Sequence, residues 1–315
     1  REGSTTVEPE LLVELEAVAQ EAAGKAGTYV RSRFGGELKV ERKGDSRGSL
    51  VTDADLESQK LIAEIIGARF PDHVILGEED PPDEAPPATD FVWAVDPIDG
   101  TTNFVNGLPV YAVSVAALHL GRPVAGACYL PWPTEVGYVL LHARLGGGAW
   151  SGEERLSVRG PADGVAPEKG RVSLVPAWVS RAYRVGKELR GGFGEPRVFG
   201  SVVYELGLVA TGVSQYSLTG FASVWDFAAG ALLASEAGGT VMTLRSRSDG
   251  RAGSDWVPLE SFADPYDNSP ETYKRLRSWH GPVLVGEPGV VEFLARNLRL
   301  RRRSLLDRIR RSLLG

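Results

Sequence analysis

The chain has 315 residues, 43% hydrophobic and 24% charged, with a formal net charge of −6. This is an ordinary globular composition that argues against disorder, against a membrane span, since no apolar stretch approaches the roughly 20 residues required, and against a general nucleic-acid binder. The single cysteine, Cys128, leaves no intramolecular disulfide framework and no multi-cysteine zinc site, which fits a reducing, cytoplasmic compartment.

The sequence begins at Arg1, and nothing in it reads as a signal peptide. From Val7 to Phe34, apolar residues recur at helical spacing, predicting an amphipathic helix. The polar, glycine-punctuated stretch Gly35 to Gly48 predicts a short hairpin or a loop, and Thr52 opens a second helix that ends near Phe70-Pro71. Val74 to Leu76 reads as a buried strand running into Gly77-Glu78-Glu79-Asp80 and a proline-rich acidic loop, Pro81 to Pro87. A strand follows from Phe91 to Val95, and then a meander over Tyr111–Leu118, Val124–Tyr129 and Val136–Leu141. Past Gly170 the pattern predicts strands at Val172–Val175 and Arg197–Phe199, and helices at Ala182–Leu189, Val202–Ala210 and Trp225–Ala237. Residues 245–281 are too polar and too long for a plain loop and read as an insertion with short elements of its own. From Gly289 to the end, apolar residues at helical spacing sit among arginines, eight of which from Arg296 onward face only Asp307, predicting a basic amphipathic helix. It would pack on the domain, or dock on an anionic membrane surface or an acidic partner. The expected division is thus 7–170, 171–288 and 289–315, in an α+β architecture.

Four acidic spots stand where a strand ends or a helix begins: Asp55, Glu78, the pair Asp96 and Asp99, and Asp226. Singly, each has an ordinary structural reading as a helix cap, a dipole partner or a solvated turn residue. The run Asp96-Pro97-Ile98-Asp99-Gly100-Thr101 resists that reading, because a turn needs one Asp and a Gly, whereas here two anions stand at one strand end. Hard cations such as Mg²⁺ take carboxylate oxygens together with substrate phosphate oxygens. A Gly-Thr corner opening into a helix offers backbone N–H groups to an anion. The four histidines (His73, His119, His142, His280) lie outside these runs, so a histidine-based mechanism has no visible support.

The ordered set Leu50–Asp55, Gly77-Glu78-Glu79, Trp93–Phe104, Val224–Gly230 and Glu236–Gly239 resembles the inositol monophosphatase family, in order and spacing, over roughly Val7 to Val285. The resemblance implies a layered αβαβα sandwich of the inositol monophosphatase and fructose-1,6-bisphosphatase type. It also implies Mg²⁺-dependent, Li⁺-sensitive hydrolysis of a phosphate monoester by a homodimer. Carried over by position, Glu78, Asp96 and the Ile98 carbonyl would bind a first Mg²⁺, Asp96, Asp99 and Asp226 a second, and Glu78 would assist a third through water. Asp55 would pair with Thr101 to orient the attacking water, and the N–H groups of Gly100 and Thr101 would receive the phosphate, with Asp99 beside them. Gly200-Ser201-Val202 matches the loop that flanks the substrate. Thr219, counted among the substrate-binding residues, stands where inositol-using members carry a glutamate on the substrate hydroxyls, which leaves the alcohol half open. Inositol 1-phosphate, fructose 1,6-bisphosphate and histidinol phosphate are the candidates, and a nucleotide 3′-phosphate is disfavoured. Lys43 and Arg47 read either as groups facing the site or as solvated charges. A reading of another class is a weakly catalytic regulator that binds RNA or protein through the basic tail.

Overall fold

The computed structural model describes residues 6–42, 50–81, 89–246 and 252–301; Lys43, Arg47, most of the acidic loop and the tail beyond Arg301 lie outside them. Helix α1 (Pro9–Arg33) starts on a proline whose fixed φ suits a first turn, and it buries Leu15, Val18, Ala19, Ala22, Ala23, Ala26 and Val30. Strands β1 (Val40–Arg42) and β2 (Leu50–Thr52) pair antiparallel and lead into α2 (Asp53–Arg69). Next come β3 (Val74–Gly77), β4 (Phe91–Asp99), the short α3 (Thr101–Val105), β5 (Ala112–His119), β6 (Arg122–Pro131), β7 (Tyr138–Arg144), β8 (Gly148–Ser151) and β9 (Glu154–Arg155). Strands β3 to β9 form one sheet in chain order, with β3 parallel to β4 and every later pair antiparallel.

Both faces of this sheet are covered, so β5 is buried along its whole length. Its side chains alternate between two cores: Val113, Val115 and Ala117 pack with α1 and α2, while Ala112, Ala116 and Leu118 face the other way. Strand β4 follows the same rule, with Trp93 and Val95 toward α1 and α2 and Val92 and Ala94 away from them. A buried Glu16 of α1 fastens that helix to β7, accepting from His142 Nδ1 at 2.7 Å and from Arg144 at 2.5 Å.

The second half runs β10 (Val172–Leu174), α4 (Val179–Ala182), β11 (Tyr183–Val185), a 3₁₀ turn at Glu188–Gly191, β12 (Glu195–Arg197), α5 (Val202–Ala210), β13 (Tyr216–Leu218), β14 (Ala222–Ser223) and α6 (Val224–Glu236). It continues with β15 (Thr240–Ser246), β16 (Ala252–Pro258), α7 (Pro270–Arg277), β17 (His280–Gly281), β18 (Val283–Gly286), α8 (Pro288–Asn297) and β19 (Leu298–Leu300). Six of these strands make a second mixed sheet in the order β12-β10-β13-β18-β15-β16. Helices α5 and α6 fill the space between the two sheets, α1 and α2 cover the first from outside, and α8 covers the second. The chain is therefore a five-layer αβαβα sandwich. No helix among the described residues is long and apolar enough to cross a membrane.

Four elements differ from the sequence expectation, the first being the strand expected over Arg197–Phe199, which lies at Glu195–Arg197, where it pairs parallel with β10. Strand β4 does not stop at Val95 but continues through Pro97 to Asp99. The helix expected over Ala182–Leu189 ends at Ala182, because Tyr183–Val185 pairs antiparallel with Leu298–Leu300 and buries the Tyr183 ring. For the same reason the terminal helix stops at Asn297, where the chain turns extended and Trp256 Nε1 donates to the Leu298 carbonyl at 3.1 Å.

Gly27 lets α1 approach the sheet: a Cβ there would fall 2.1 Å from the ring of Tyr129, which is fully buried and stacked on Tyr138. Helix propensity favours Gly27→Ala by about 1 kcal/mol, whereas overpacking a well-filled core costs about 1–3 kcal/mol. With a ring that cannot swing away, the penalty wins, and Gly27→Ala is expected to lower the thermal midpoint by a few degrees. A midpoint equal to or above wild type in calorimetry would show that the ring yields.

Candidate active site

In a regular strand, residues three apart point to opposite faces, so Asp96 and Asp99 would be separated. The pairing of β4 with β5 carries one extra residue on β4 between Asp96, opposite Ser114, and Asp99, opposite Ala112. The bulge lies at Pro97-Ile98, where a proline is tolerated because ladder pairing is already broken. It lets Asp99 turn to the side Asp96 faces, while the Ile98 side chain stays buried with α1 and α2. Asp96 continues the row of Val92 and Ala94, toward the layer of α5 and α6.

Asp226 comes from that layer, in the first turn of α6, where its Oδ2 accepts from the Ser223 N–H at 2.5 Å. Ser114 Oγ donates to the Trp225 carbonyl at 3.2 Å, tying the start of α6 to the strand opposite Asp96. The Oδ2 of Asp99 accepts from Ser201 Oγ and from the Val203 N–H, each at 2.6 Å, at the start of α5. One oxygen each of Asp96, Asp99 and Asp226 then lies within 4.8 Å of the others.

Burial pushes Asp96 well above the ordinary carboxylate range, and the charges of Glu78, Asp99 and Asp226 push it further. Burial does the same to Asp99, followed by Asp226, with the bonds from Ser201 and Val203 offsetting part of the effect. Asp96 Oδ1 accepts from the Ile98 N–H at 3.1 Å, but its Oδ2 is buried with no hydrogen-bond partner. An acceptor left in that state costs roughly 1–3 kcal/mol, and more if charged. Crowded, desolvated carboxylate oxygens with one unsatisfied member are the donor set a hard divalent cation takes, and the residues present fit one.

Glu78 stands just past β3, beside the parallel β4, with its N–H donating to the Val95 carbonyl at 3.1 Å. Its charge bears on Asp96, Asp99 and Asp55, although it is outside the three-carboxylate cluster. Asp55 is buried in the first turn of α2, its Oδ2 accepting from the Thr52 N–H (2.8 Å) and hydroxyl (2.5 Å). Its Oδ1 lies 3.1 Å from Thr101 Oγ1, which is also 2.9 Å from the Ile98 carbonyl. Burial raises Asp55 above its usual range, against the bonds from Thr52 and Thr101 that lower it. Gly100 begins α3 at φ +89°, where a Cβ would sit 3.0 Å from the Val110 carbonyl and 3.1 Å from Ser201 Cβ. Position and conformation both require glycine.

The stretch Gly200-Ser201-Val202 adjoins Asp99, and Ser201 spends its hydroxyl proton on that carboxylate. Thr219, expected from the sequence at the alcohol half of the substrate, is bonded into the second sheet. It is 2% exposed, and its hydroxyl both donates to the Val283 carbonyl (3.1 Å) and accepts from the Val283 N–H (3.0 Å), so β18 takes up its proton and one of its two lone pairs. Sequence reasoning missed Ser114 and also Asn103, whose Nδ2 donates to the carbonyls of Val110 (2.8 Å) and Phe199 (2.7 Å) and ties the Asp99 loop to the Ser201 loop. Ser114 carries no spacing signal that could have revealed its partner, and Asn103, although inside the Trp93–Phe104 run, has partners that only the fold brings near.

Residues 11–275 match the inositol monophosphatase family. The chain belongs to that family. An inositol-1-monophosphatase of Bacillus subtilis (strain 168) is 32% identical over 239 residues, 73% of this chain and 86% of the relative. A fructose-1,6-bisphosphatase/inositol-1-monophosphatase of Aquifex aeolicus is 31% identical over 231 residues, 70% and 83% of the two chains. The crystal structure of the extragenic suppressor protein suhB from Bartonella henselae superposes with a TM-score of 0.65 at 26% identity, covering 89% of this chain and 96% of that one. Family members are metal-dependent phosphatases, and this chain is a phosphoric monoester hydrolase.

A carboxyl raised in the fold holds its proton where the unfolded chain, near the ordinary value of 3.8, has released it. The metal-free inositol monophosphatase fold therefore loses stability as pH rises from about 4 through the raised values of Asp96 and Asp99. Mg²⁺ is accordingly expected to raise the thermal midpoint more near pH 7.5 than near pH 5. Asp99→Asn, which removes one like charge, is expected to raise the metal-free midpoint near pH 7.5 and shrink the Mg²⁺ increment. Thermal unfolding with and without Mg²⁺ reads both, and a pH-independent increment would reject the assignment of these carboxylates.

Proposed function

We propose that this chain is a Mg²⁺-dependent phosphatase of small polyol or sugar phosphates, with inositol 1-phosphate as its first substrate. The observation that carries the reading is the meeting of Asp96, Asp99 and Asp226 within 4.8 Å, with the Asp55–Thr101 contact beside them. Asp96, Glu78 and the Ile98 carbonyl would hold one Mg²⁺, and Asp96, Asp99 and Asp226 a second, with Glu78 reaching a third through water. When bound, the cations neutralise phosphate and leaving-group charge and make hydroxide available near neutral pH.

The chain's own groups do the rest. The N–H groups of Gly100 and Thr101, in the first turn of α3, donate to phosphate oxygens. Thr101 Oγ1 has one proton and two acceptors in reach, Asp55 Oδ1 and the Ile98 carbonyl. Passing that proton to Asp55 leaves Thr101 Oγ1 ready to take one from the attacking water, and burial makes the Asp55 carboxylate the stronger base. Such general-base help is worth about 10²–10⁴-fold.

A second reading, fructose 1,6-bisphosphate or histidinol phosphate on the same site, draws support from Thr219, which brings no carboxylate to the alcohol half and is bonded into β18. Family membership is what supports Li⁺ inhibition and a homodimer. The regulator reading rests on a tail whose residues beyond Arg301 lie outside those described.

Asp96→Asn is expected to abolish turnover in a folded protein, and Thr101→Ala to lower kcat by about 10²–10⁴-fold while retaining the Mg²⁺-dependent rise in thermal midpoint. Phosphate release with Mg²⁺ from inositol 1-phosphate, fructose 1,6-bisphosphate, histidinol phosphate and adenosine 3′,5′-bisphosphate measures both variants and ranks the substrates. Wild-type turnover by Asp96→Asn rejects the site, and preference for the adenosine compound moves the substrate class.

A further inference from the structure

The turn that carries Glu78 is held from two directions. From α2, Gln59 Nε2 donates to Asp80 Oδ1 at 2.7 Å and Gln59 Oε1 accepts from the Glu79 N–H at 3.0 Å, while Asp80 Oδ2 closes the turn on the Gly77 N–H at 2.6 Å. From the opposite side comes Arg277, the last residue of α7, almost 200 residues further along the chain. Its guanidinium donates to the Asp80 carbonyl at 2.5 Å and to the Gly77 carbonyl at 3.4 Å, the two residues that bracket Glu78-Glu79. The same group lies 5.8 Å from the ring centroid of Trp225, the neighbour of Asp226. One side chain thus touches the Glu78 turn and the start of α6.

Arg277 is held firmly enough to transmit that geometry. On one side Tyr273 and Leu276 are buried in the core between the sheets, and on the other Trp279 packs edge-on against Phe227 (5.5 Å) and Phe262 (4.7 Å). Its partners are two carbonyls and an indole face, which a planar five-donor fork can engage together and a lysine ammonium cannot.

We infer that Arg277 is a positioning residue for the divalent-cation site: it clamps the Glu78 turn to the Trp225-Asp226 start of α6, so that the 245–281 segment completes a site whose carboxylates all lie outside it. This rests on the metal reading above and adds to it a residue that touches neither metal nor substrate. Loss of a partner that orients a ligand from behind typically costs about 10–100-fold in metal affinity.

The test is calorimetric titration of Mn²⁺ into the metal-free full chain, paired with the Mg²⁺ dependence of phosphate release. Wild type, Arg277→Met, Arg277→Lys and a distant destabilised control, Val291→Ala in α8, are compared. Arg277→Met is expected to lose about 10–100-fold in Mn²⁺ affinity, to need correspondingly more Mg²⁺ for half-maximal rate, and to keep kcat at saturating Mg²⁺ within about threefold. Arg277→Lys should behave like Arg277→Met, and Val291→Ala should have a lower thermal midpoint with wild-type Mn²⁺ affinity. Wild-type affinity in Arg277→Met overturns the clamp, as does an equal loss in Val291→Ala, which would mark general destabilisation. Wild-type affinity in Arg277→Lys overturns the geometric role in favour of charge, and that variant decides alone if Arg277→Met does not fold. Failure of the wild type itself to bind Mn²⁺ overturns the metal reading and the clamp with it, an outcome distinct from all the others.

Discussion

Like charges repel most strongly where water is excluded, yet Asp96, Asp99 and Asp226 meet at a point where two of the three are buried. Each carboxylate is fixed by a backbone N–H from a different piece of the fold: Ile98 in the β4 bulge for Asp96, Val203 at the start of α5 for Asp99, and Ser223 at the start of α6 for Asp226. The geometry therefore survives only if the first sheet and the central helical layer keep their relation. The two large cores serve that end, one locking α1 and α2 to the sheet from outside and the other locking α5 and α6 between the sheets.

The one-residue bulge in β4 explains why this part of the site was only half legible in the sequence. Two aspartates in Asp96-Pro97-Ile98-Asp99 declared chemistry, but three-residue spacing in a strand argues that they diverge. The strand was expected to end at Val95, although in the structure Pro97 sits inside a pairing that resumes at Asp99. The long helices α1 and α2 were legible because their signals are local: apolar periodicity, a proline start and the Thr52 cap. Tyr183–Val185 was not, because its partner Leu298–Leu300 is more than a hundred residues away and no local pattern announces it. Arg277 is invisible for the same reason, since its meaning lies in carbonyls at Gly77 and Asp80.

Thr219 marks a different limit. It stands where the resemblance puts a glutamate on the substrate hydroxyls, and in the structure its hydroxyl is bonded to β18. The side chain is small enough to fold back onto the Val283 backbone, where it accepts from the Val283 N–H and adds a second donor to a carbonyl that the Thr219 N–H already meets at 2.9 Å. A carboxylate at that position could accept from the N–H but could not donate to the carbonyl.

Four helix starts surround the site. Asp55 lies in the first turn of α2, Gly100 and Thr101 open α3, Ser201 caps α5 beside Asp99, and Asp226 lies in the first turn of α6. A helix N-terminus stabilises an anion by about 0.3–1 kcal/mol, and by up to about 2 kcal/mol when partly buried, so the backbone itself offsets part of the repulsion among the acids. It does not offset all of it, because burial and mutual charge still leave Asp96 and Asp99 far above the ordinary carboxylate range. The fold supplies enough positive potential to assemble the acids and too little to ionise them all comfortably, and that remaining deficit is what divalent cations would fill.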